Sequence, residues 1–141
     1  HADIVTLHVP HIPSTRHLMN RQTFRLMKRG ALLINTARGG IVETDALVWA
    51  LDEGIVGGAG LDVLEGEELV KEERQLLSQD FPKEKLVTAL KNHILLHREN
   101  VVITPHIAFD SREALQRILE TTVTNIAAFL NGAPVNLVTH G

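Results

Sequence analysis

The chain has no cysteine among its 141 residues, which excludes a disulfide framework and a thiolate nucleophile. A reducing compartment, the cytoplasm, is the expected location. No apolar run approaches the ~18 residues that a membrane span needs. Lysine and arginine number 14 against 17 acidic residues, for a formal charge of −3, and no strong basic run stands out. A nucleic-acid partner is therefore not expected. Internal repeats and low-complexity tracts are absent too. The opening residues, His1-Ala2-Asp3-Ile4-Val5-Thr6, lack the basic region and apolar core of a signal peptide. They read as a chain entered midway, almost directly at a strand. What is present is an ordinary 44% of hydrophobic residues, enough at this length for one domain with a real core.

Apolar segments alternate with helical patterns along the first 105 residues. Ile4 to Val9 is β-branched and apolar and stops at Pro10. A proline-containing loop, Pro10 to Thr15, follows. Asn20 offers an N-cap to a helix over 20–27, with Phe24 and Met27 on one face and Gly30 as its stop. Ala31 to Ala37 is the second strand, and its apolar start, Ala31-Leu32-Leu33-Ile34, predicts burial. Glu43 or Thr44 opens the next helix, with Leu47, Ala50 and Leu51 on its inner face and Gly54 after its end. Trp49 reads as a residue packed on the sheet rather than a stacking platform. Gly57-Gly58-Ala59-Gly60-Leu61-Asp62-Val63 leads into a third strand, where the glycines predict close packing or backbone approach. Residues 65–98 are charged and read as an inserted lobe. Two helical patterns fit inside it, Glu67–Ser78 and Lys83–Leu96, with Phe81-Pro82 between them. Val101 to Thr104 is a fourth strand, ended by Pro105. Ser111 caps a long helix whose inner side is Ala114, Ile118, Val123, Ile126, Phe129 and Leu130, closed by Gly132 and Pro134. The alternation implies an α/β fold of parallel βαβ units with right-handed crossovers.

The stretch with the most chemistry is Ile34-Asn35-Thr36-Ala37-Arg38-Gly39-Gly40. Arg38 follows a parallel strand at its carboxyl end, where open α/β sheets bind ligands. Its planar fork of donors matches a carboxylate. Two glycines behind it allow a sharp turn and a close approach to a ligand. Taken alone, the stretch fits an exposed arginine in a turn equally well. Glu67 and His106 also lie past strand ends, and Asp62 closes another strand. In a parallel sheet these ends share one side, so the residues can converge. A carboxylate beside a histidine raises the imidazole's pKa and makes it a tunable acid and base. Taken alone, His106 reads more simply as a surface histidine after a proline turn. With Arg38 and Glu67 it becomes the equipment for proton transfer coupled to reduction of a 2-oxo acid. His93 and His97 stand four apart on an expected helix, a spacing that can bind a metal. No third ligand is evident, Glu99 is poorly placed, and a solvated helix face is the expected reading. No metal is expected.

Four stretches together resemble the D-isomer-specific 2-hydroxyacid dehydrogenases. They are Ala2 to Pro10, Leu33 to Gly40, Gly60-Leu61-Asp62-Val63-Leu64-Glu65-Gly66-Glu67, and Asn100 to Ala108. They occur in the family's order, with the family's spacing from arginine to glutamate, and cover nearly the whole chain. The resemblance implies an NAD-dependent oxidoreductase acting on a small D-2-hydroxy acid and its 2-oxo acid, D-lactate and pyruvate being one such pair. Arg38 would bind the substrate's carboxylate and carbonyl, and His106 would give and take the proton. Glu67 would hold His106 and raise its pKa. Glu65 competes for that role, but the family's glutamate sits five residues after the aspartate, which favours Glu67. A glutamate there is unlike the formate-dehydrogenase branch, which carries glutamine. Asp62 would contact the nicotinamide carboxamide. His8, Val9, Pro10 and Thr15 would line the adenosine and ribose side, and Thr36, Ala37 and Ala108 would complete the cofactor contacts.

The family's Gly-x-Gly-x-x-Gly loop and its ribose-binding acid are not among these residues, and Gly57-Gly58-Ala59-Gly60 precedes a strand rather than joining strand to helix. NADP therefore stands beside NAD as a cofactor. The chain reads as the second half of a Rossmann-like domain over residues 1–110, with the helix and tail of 111–141 returning to a substrate domain. The extended 65–98 segment is most like the D-lactate dehydrogenase branch. By itself the chain is expected to be inactive, and the enzyme to be a homo-oligomer, a dimer. The rival reading is a non-catalytic NAD-sensing protein on the same scaffold, like the corepressors named C-terminal binding proteins. A third is a partner-binding fragment without cofactor.

Overall fold

Four short apolar segments pair into one parallel sheet. A computed structural model describes residues 2–67 and 83–138. The strands are β1 (Ile4–Leu7), β2 (Ala31–Asn35), β3 (Val56–Leu61) and β4 (Val101–Ile103), in that spatial order. Leu7 pairs with Asn35, Asn35 with Leu61, and Leu61 with Ile103. This register sets all four carboxyl ends in one row. The fold is the expected Rossmann-like α/β arrangement. Each strand stops short of its expected end, because the next residues leave the ladder for the loops described below. Burial in β2 alternates: Ala31, Leu33 and Asn35 are buried, whereas Leu32 is 42% exposed. The continuous apolar run is thus packed on one face only.

The helices follow from local signals. Asn20 caps α1 (Arg21–Phe24), accepting from the amides of Gln22 and Thr23, while the Thr23 hydroxyl accepts from the Asn20 amide. The helix ends three residues before Met27, and Phe24 alone carries its buried face. A short 3-10 turn, Gly39–Ile41, leads to α2 (Thr44–Asp52). Trp49 packs at the core's margin, with the guanidinium groups of Arg21 and Arg25 over its ring at 5.4 and 5.5 Å. Phe24, Leu33, Ile41, Leu47, Val56 and Leu95 are the largest of the fully buried apolar side chains in the core cluster. Fully burying one such side chain stabilises by about 1.5–3 kcal/mol.

Parallel neighbours need a crossover connection, and α3 (Lys83–Leu96) supplies it between β3 and β4. Its bounds are those expected from the sequence. Its place corrects the lobe reading for residues 83–96. Leu95 is 1% exposed within the main core, and α3 packs on α2, reinforced by the Lys91–Asp45 pair. The expected helix Glu67–Ser78 and the Phe81-Pro82 break lie outside the described residues from position 68 onward.

The chain divides into two compact units, His1–His106 and Ile107–Gly141. The second holds α4 (Arg112–Leu130), capped by the Ser111 hydroxyl at the Ala114 amide. None of its residues is buried, and Ile118, Val123, Ile126, Phe129 and Leu130 are 50–76% exposed. The expected inner side of this helix is therefore an exposed apolar face. Among the described residues no helix is long and apolar enough to cross a membrane.

Candidate active site

The row of strand ends carries four loops. Past β2, Asn35 turns the chain. Its side chain is 1% exposed, accepts from the Ala37 amide at 3.1 Å and donates to the Arg38 carbonyl at 3.0 Å. This is the local hydrogen bonding that makes asparagine a turn former. It presents Thr36 and Arg38 outward, both exposed. Arg38 Nη1 donates to the Ala37 carbonyl at 2.7 Å, and among the described residues the guanidinium has no acidic partner. The glycines behind it let other parts of the chain come close. A Cβ on Gly39 would lie 2.0 Å from the Leu64 carbonyl oxygen, and one on Gly40 2.7 Å from the His11 ring.

A cleft of about 680 Å³ opens between the β1 and β2 loops, lined by His8, Val9, Pro10, His11, Thr36, Ala37 and Arg38. His8 hydrogen-bonds Thr6 at 2.9 Å. Thr15 does not line the cleft. Its hydroxyl donates to the Pro10 carbonyl at 2.5 Å and accepts from the Ile12 amide at 2.9 Å, closing the loop instead. His11, which the sequence reading passed over, takes a place on the wall.

Past β3, Asp62 is 4% exposed. Its Oδ1 accepts from the Thr104 hydroxyl at 2.6 Å, and its carbonyl accepts from the His106 amide at 2.9 Å. His106 adopts φ +58°, a left-handed conformation uncommon outside glycine. Such strain persists only where surrounding contacts fix it. Its Nδ1 lies 3.0 Å from Glu67 Oε1, with the histidine 43% and the glutamate 30% exposed. A carboxylate only accepts, so a proton on Nδ1 suits this contact and would leave Nε2 to meet a substrate. Glu67 Oε2 accepts from the Leu64 amide at 3.2 Å. Glu67 and His106 are thus brought together, and Asp62 adjoins them. Ala108 falls in the second unit.

Glu65 goes elsewhere. Its Oε1 takes a hydrogen bond from His17 Nε2 at 2.5 Å, and its Oε2 accepts from the Thr44 amide at the start of α2 at 3.0 Å. Burial raises its pKa, but the Thr44 amide, His17 and the Thr44 hydroxyl together outweigh it, so the carboxyl titrates below its ordinary range. A carboxyl with a depressed folded-state pKa adds stability above the ordinary carboxylate range. That stability is lost as pH falls toward the folded value. Glu65→Gln should therefore lower Tm at neutral pH and flatten its fall on acidification below about pH 4.5, the region where unperturbed glutamate titrates. Melting curves across that range check this. An unaltered acid slope would refute it.

His93 and His97 sit one turn apart at the end of α3, ring centroids 4.4 Å apart, with His97 Nδ1 donating to the His93 carbonyl at 2.9 Å. Among the described residues no group of three histidines or acids could hold a metal.

Residues 1–108 match the family model described as "D-isomer specific 2-hydroxyacid dehydrogenase, NAD binding domain". A glycerate dehydrogenase of Methylorubrum extorquens is 39% identical over 137 residues, covering 97% of this chain and 38% of the relative. A glyoxylate reductase of Thermofilum pendens is 44% identical over 131 residues, covering 93% of this chain and 33% of the relative. The solved structure of a D-lactate dehydrogenase from Aquifex aeolicus, complexed with NAD and lactic acid, superposes with a TM-score of 0.77 at 42% identity. That match covers 94% of this chain and 38% of the other. The chain thus spans 33–38% of the length of these relatives.

Proposed function

The chain belongs to the D-isomer-specific 2-hydroxyacid dehydrogenase family, and on that premise we propose that it supplies the catalytic face of an NAD-dependent oxidoreductase. The reaction interconverts a small 2-oxo acid and its D-2-hydroxy acid, pyruvate and D-lactate being one such pair. The observation that carries this reading is the His106 Nδ1–Glu67 Oε1 contact at 3.0 Å, on the same side of the sheet as Arg38. Residues 1–110 act as half of the dinucleotide domain, and 111–141 belong with a substrate domain.

The residues present suit the cofactor. The cleft lies at the carboxyl ends of β1 and β2, and its volume of about 680 Å³ is that of a small-molecule site. Buried Asp62 offers a carboxylate suited to the carboxamide of a nicotinamide. When bound, the nicotinamide supplies hydride in reduction and takes it up in oxidation. Arg38 grips the substrate carboxylate with its fork and polarises the adjoining carbonyl. His106 delivers a proton from Nε2 to the carbonyl oxygen during reduction, and recovers it from the hydroxyl during oxidation. Glu67 fixes the ring's tautomer and offsets the charge of the imidazolium.

The test is Glu67→Gln in the intact natural protein. Reduction needs the protonated imidazole, and a neighbouring anion favours that form. Removing the anion should lower kcat for 2-oxo acid reduction in a folded variant. An unchanged kcat would reject the pairing.

Alone, these 141 residues should bind NADH weakly and turn over nothing. They lack the glycine-loop amides that cradle the pyrophosphate. The exposed apolar face of α4 favours association, in keeping with a homodimer, and the absence of cysteine suits the cytoplasm. Calorimetric titration with NADH and light scattering check this. Micromolar binding by a clean monomer would overturn it.

A further inference from the structure

The segment that carries Glu67 is pinned from several sides, and one anchor has no part in the proton transfer. Leu64 occupies the space left by the missing side chain of Gly39. The Glu65 carbonyl accepts from Asn92 Nδ2 of α3 at 2.9 Å, and Asn92 is 4% exposed. Gly66 then turns the chain at φ +72°, and the Glu67 amide donates back to the Leu64 carbonyl at 3.2 Å. These contacts hold the backbone. Among described contacts, the Glu65 side chain alone links this segment by side-chain hydrogen bonds to elements before β3. Its two oxygens reach His17 Nε2 and the Thr44 amide.

His17 is itself held in place. It sits at φ +50°, its amide donates to the Gly40 carbonyl at 2.9 Å, and its carbonyl accepts from Asn20 Nδ2 at 3.0 Å. Gly40 is two residues from Arg38, and Thr44 opens α2. The His17–Glu65 bond therefore joins the loop between β1 and α1, which is itself bound to Gly40, to the loop that bears Glu67. A carboxylate at a helix N-terminus is favoured by the amides there, and α2 lacks a side-chain cap of its own, since Glu43 makes none.

We propose that Glu65, clamped by His17 and the start of α2, is a positioning residue that sets Glu67 against His106 and fixes its spacing from Arg38. The proposal rests on the reading of Glu67 and His106 given above, and it assigns His17 a share in a site that it does not touch. Losing the clamp lets the 64–67 segment relax. Glu67 then holds the His106 ring less firmly, and misplacement on the order of an ångström is enough to cost rate.

Two measurements on the intact natural protein test this. The first needs no turnover. A histidine N–H bound to a carboxylate gives a far-downfield proton resonance, and that of His106 is assigned by its loss in Glu67→Ala. His17→Ala should broaden or displace it, and His17→Gln, which keeps an N–H near the Nε2 position, should restore it. The second is a mutant cycle on kcat for 2-oxo acid reduction. His17→Ala should lower kcat on the order of tenfold, with cofactor KM unchanged, and should add no further loss in a Glu67→Ala background. Should His17→Ala fail to fold by its melting curve, Glu65→Gln replaces it in both measurements. A resonance lost in His17→Ala supports the clamp even where no reductase activity is found, a result that would count against the proposed reaction alone. An unchanged resonance in a folded variant overturns the clamp, as does an equal kcat loss in both backgrounds.

Discussion

His106→Asn should lower kcat for 2-oxo acid reduction in the intact protein by about 10²–10⁴-fold, the range that a positioned general acid supplies. Asparagine is the informative replacement for two reasons. It tolerates the left-handed backbone better than most residues, and His106 sits at φ +58°. Its amide nitrogen also falls near the Nδ1 position, so the bond to Glu67 can survive. What disappears is Nε2, the nitrogen that the contact with Glu67 leaves unused. Steady-state kinetics with a melting curve separate lost chemistry from lost folding. Near-wild-type kcat in a folded variant would remove His106 from the reaction.

The second large effect is expected from Arg38→Lys. Lysine keeps the positive charge but loses the planar fork. The loss in kcat/KM for 2-oxo acids should be about 2–4 kcal/mol, typical for removing a donor aimed at developing charge. Arg38 is exposed, and its hydrogen bond to the Ala37 carbonyl is local. Its replacement should therefore leave stability near wild type, because surface substitutions away from special features usually cost little. Normal kinetics for this variant would sink the assignment.

The two variants probe residues of different legibility. Arg38 stands out in the sequence because a run of apolar residues, a polar break and a glycine pair mark a strand end. The reason for that glycine pair was legible only in part. Sequence suggests that a backbone approaches something at Gly39 and Gly40. The fold decides that the neighbours are the Leu64 carbonyl and the His11 ring. Asn35 was within reach of sequence reasoning, since asparagine bonding to amides and carbonyls two and three residues on is a local habit. For Thr15 the family's pattern points to the cofactor, and the fold adds that its hydroxyl also closes its own loop.

Local and periodic signals determined the rest of what the sequence determined. Alternating apolar strands and helical patterns set an α/β chain with a parallel sheet, and the caps at Asn20 and Ser111 set two helix starts, because these depend on neighbours a few residues away. A parallel sheet also requires that the loops bearing Arg38, Asp62, Glu67 and His106 share one edge. Tertiary structure decided between Glu65 and Glu67. Both are glutamates two residues apart, alike in charge and reach, and no local preference tells them apart. Only the turn at Gly66 sends one carboxylate to His106 and the other to His17 and the start of α2, 21 residues earlier in the chain. The apolar side of α4 is legible in the sequence, and its exposure fits the reading of 111–141 as returning to a substrate domain. Amphipathic spacing says which residues share a side of a helix, and burial of that side depends on what the fold brings against it.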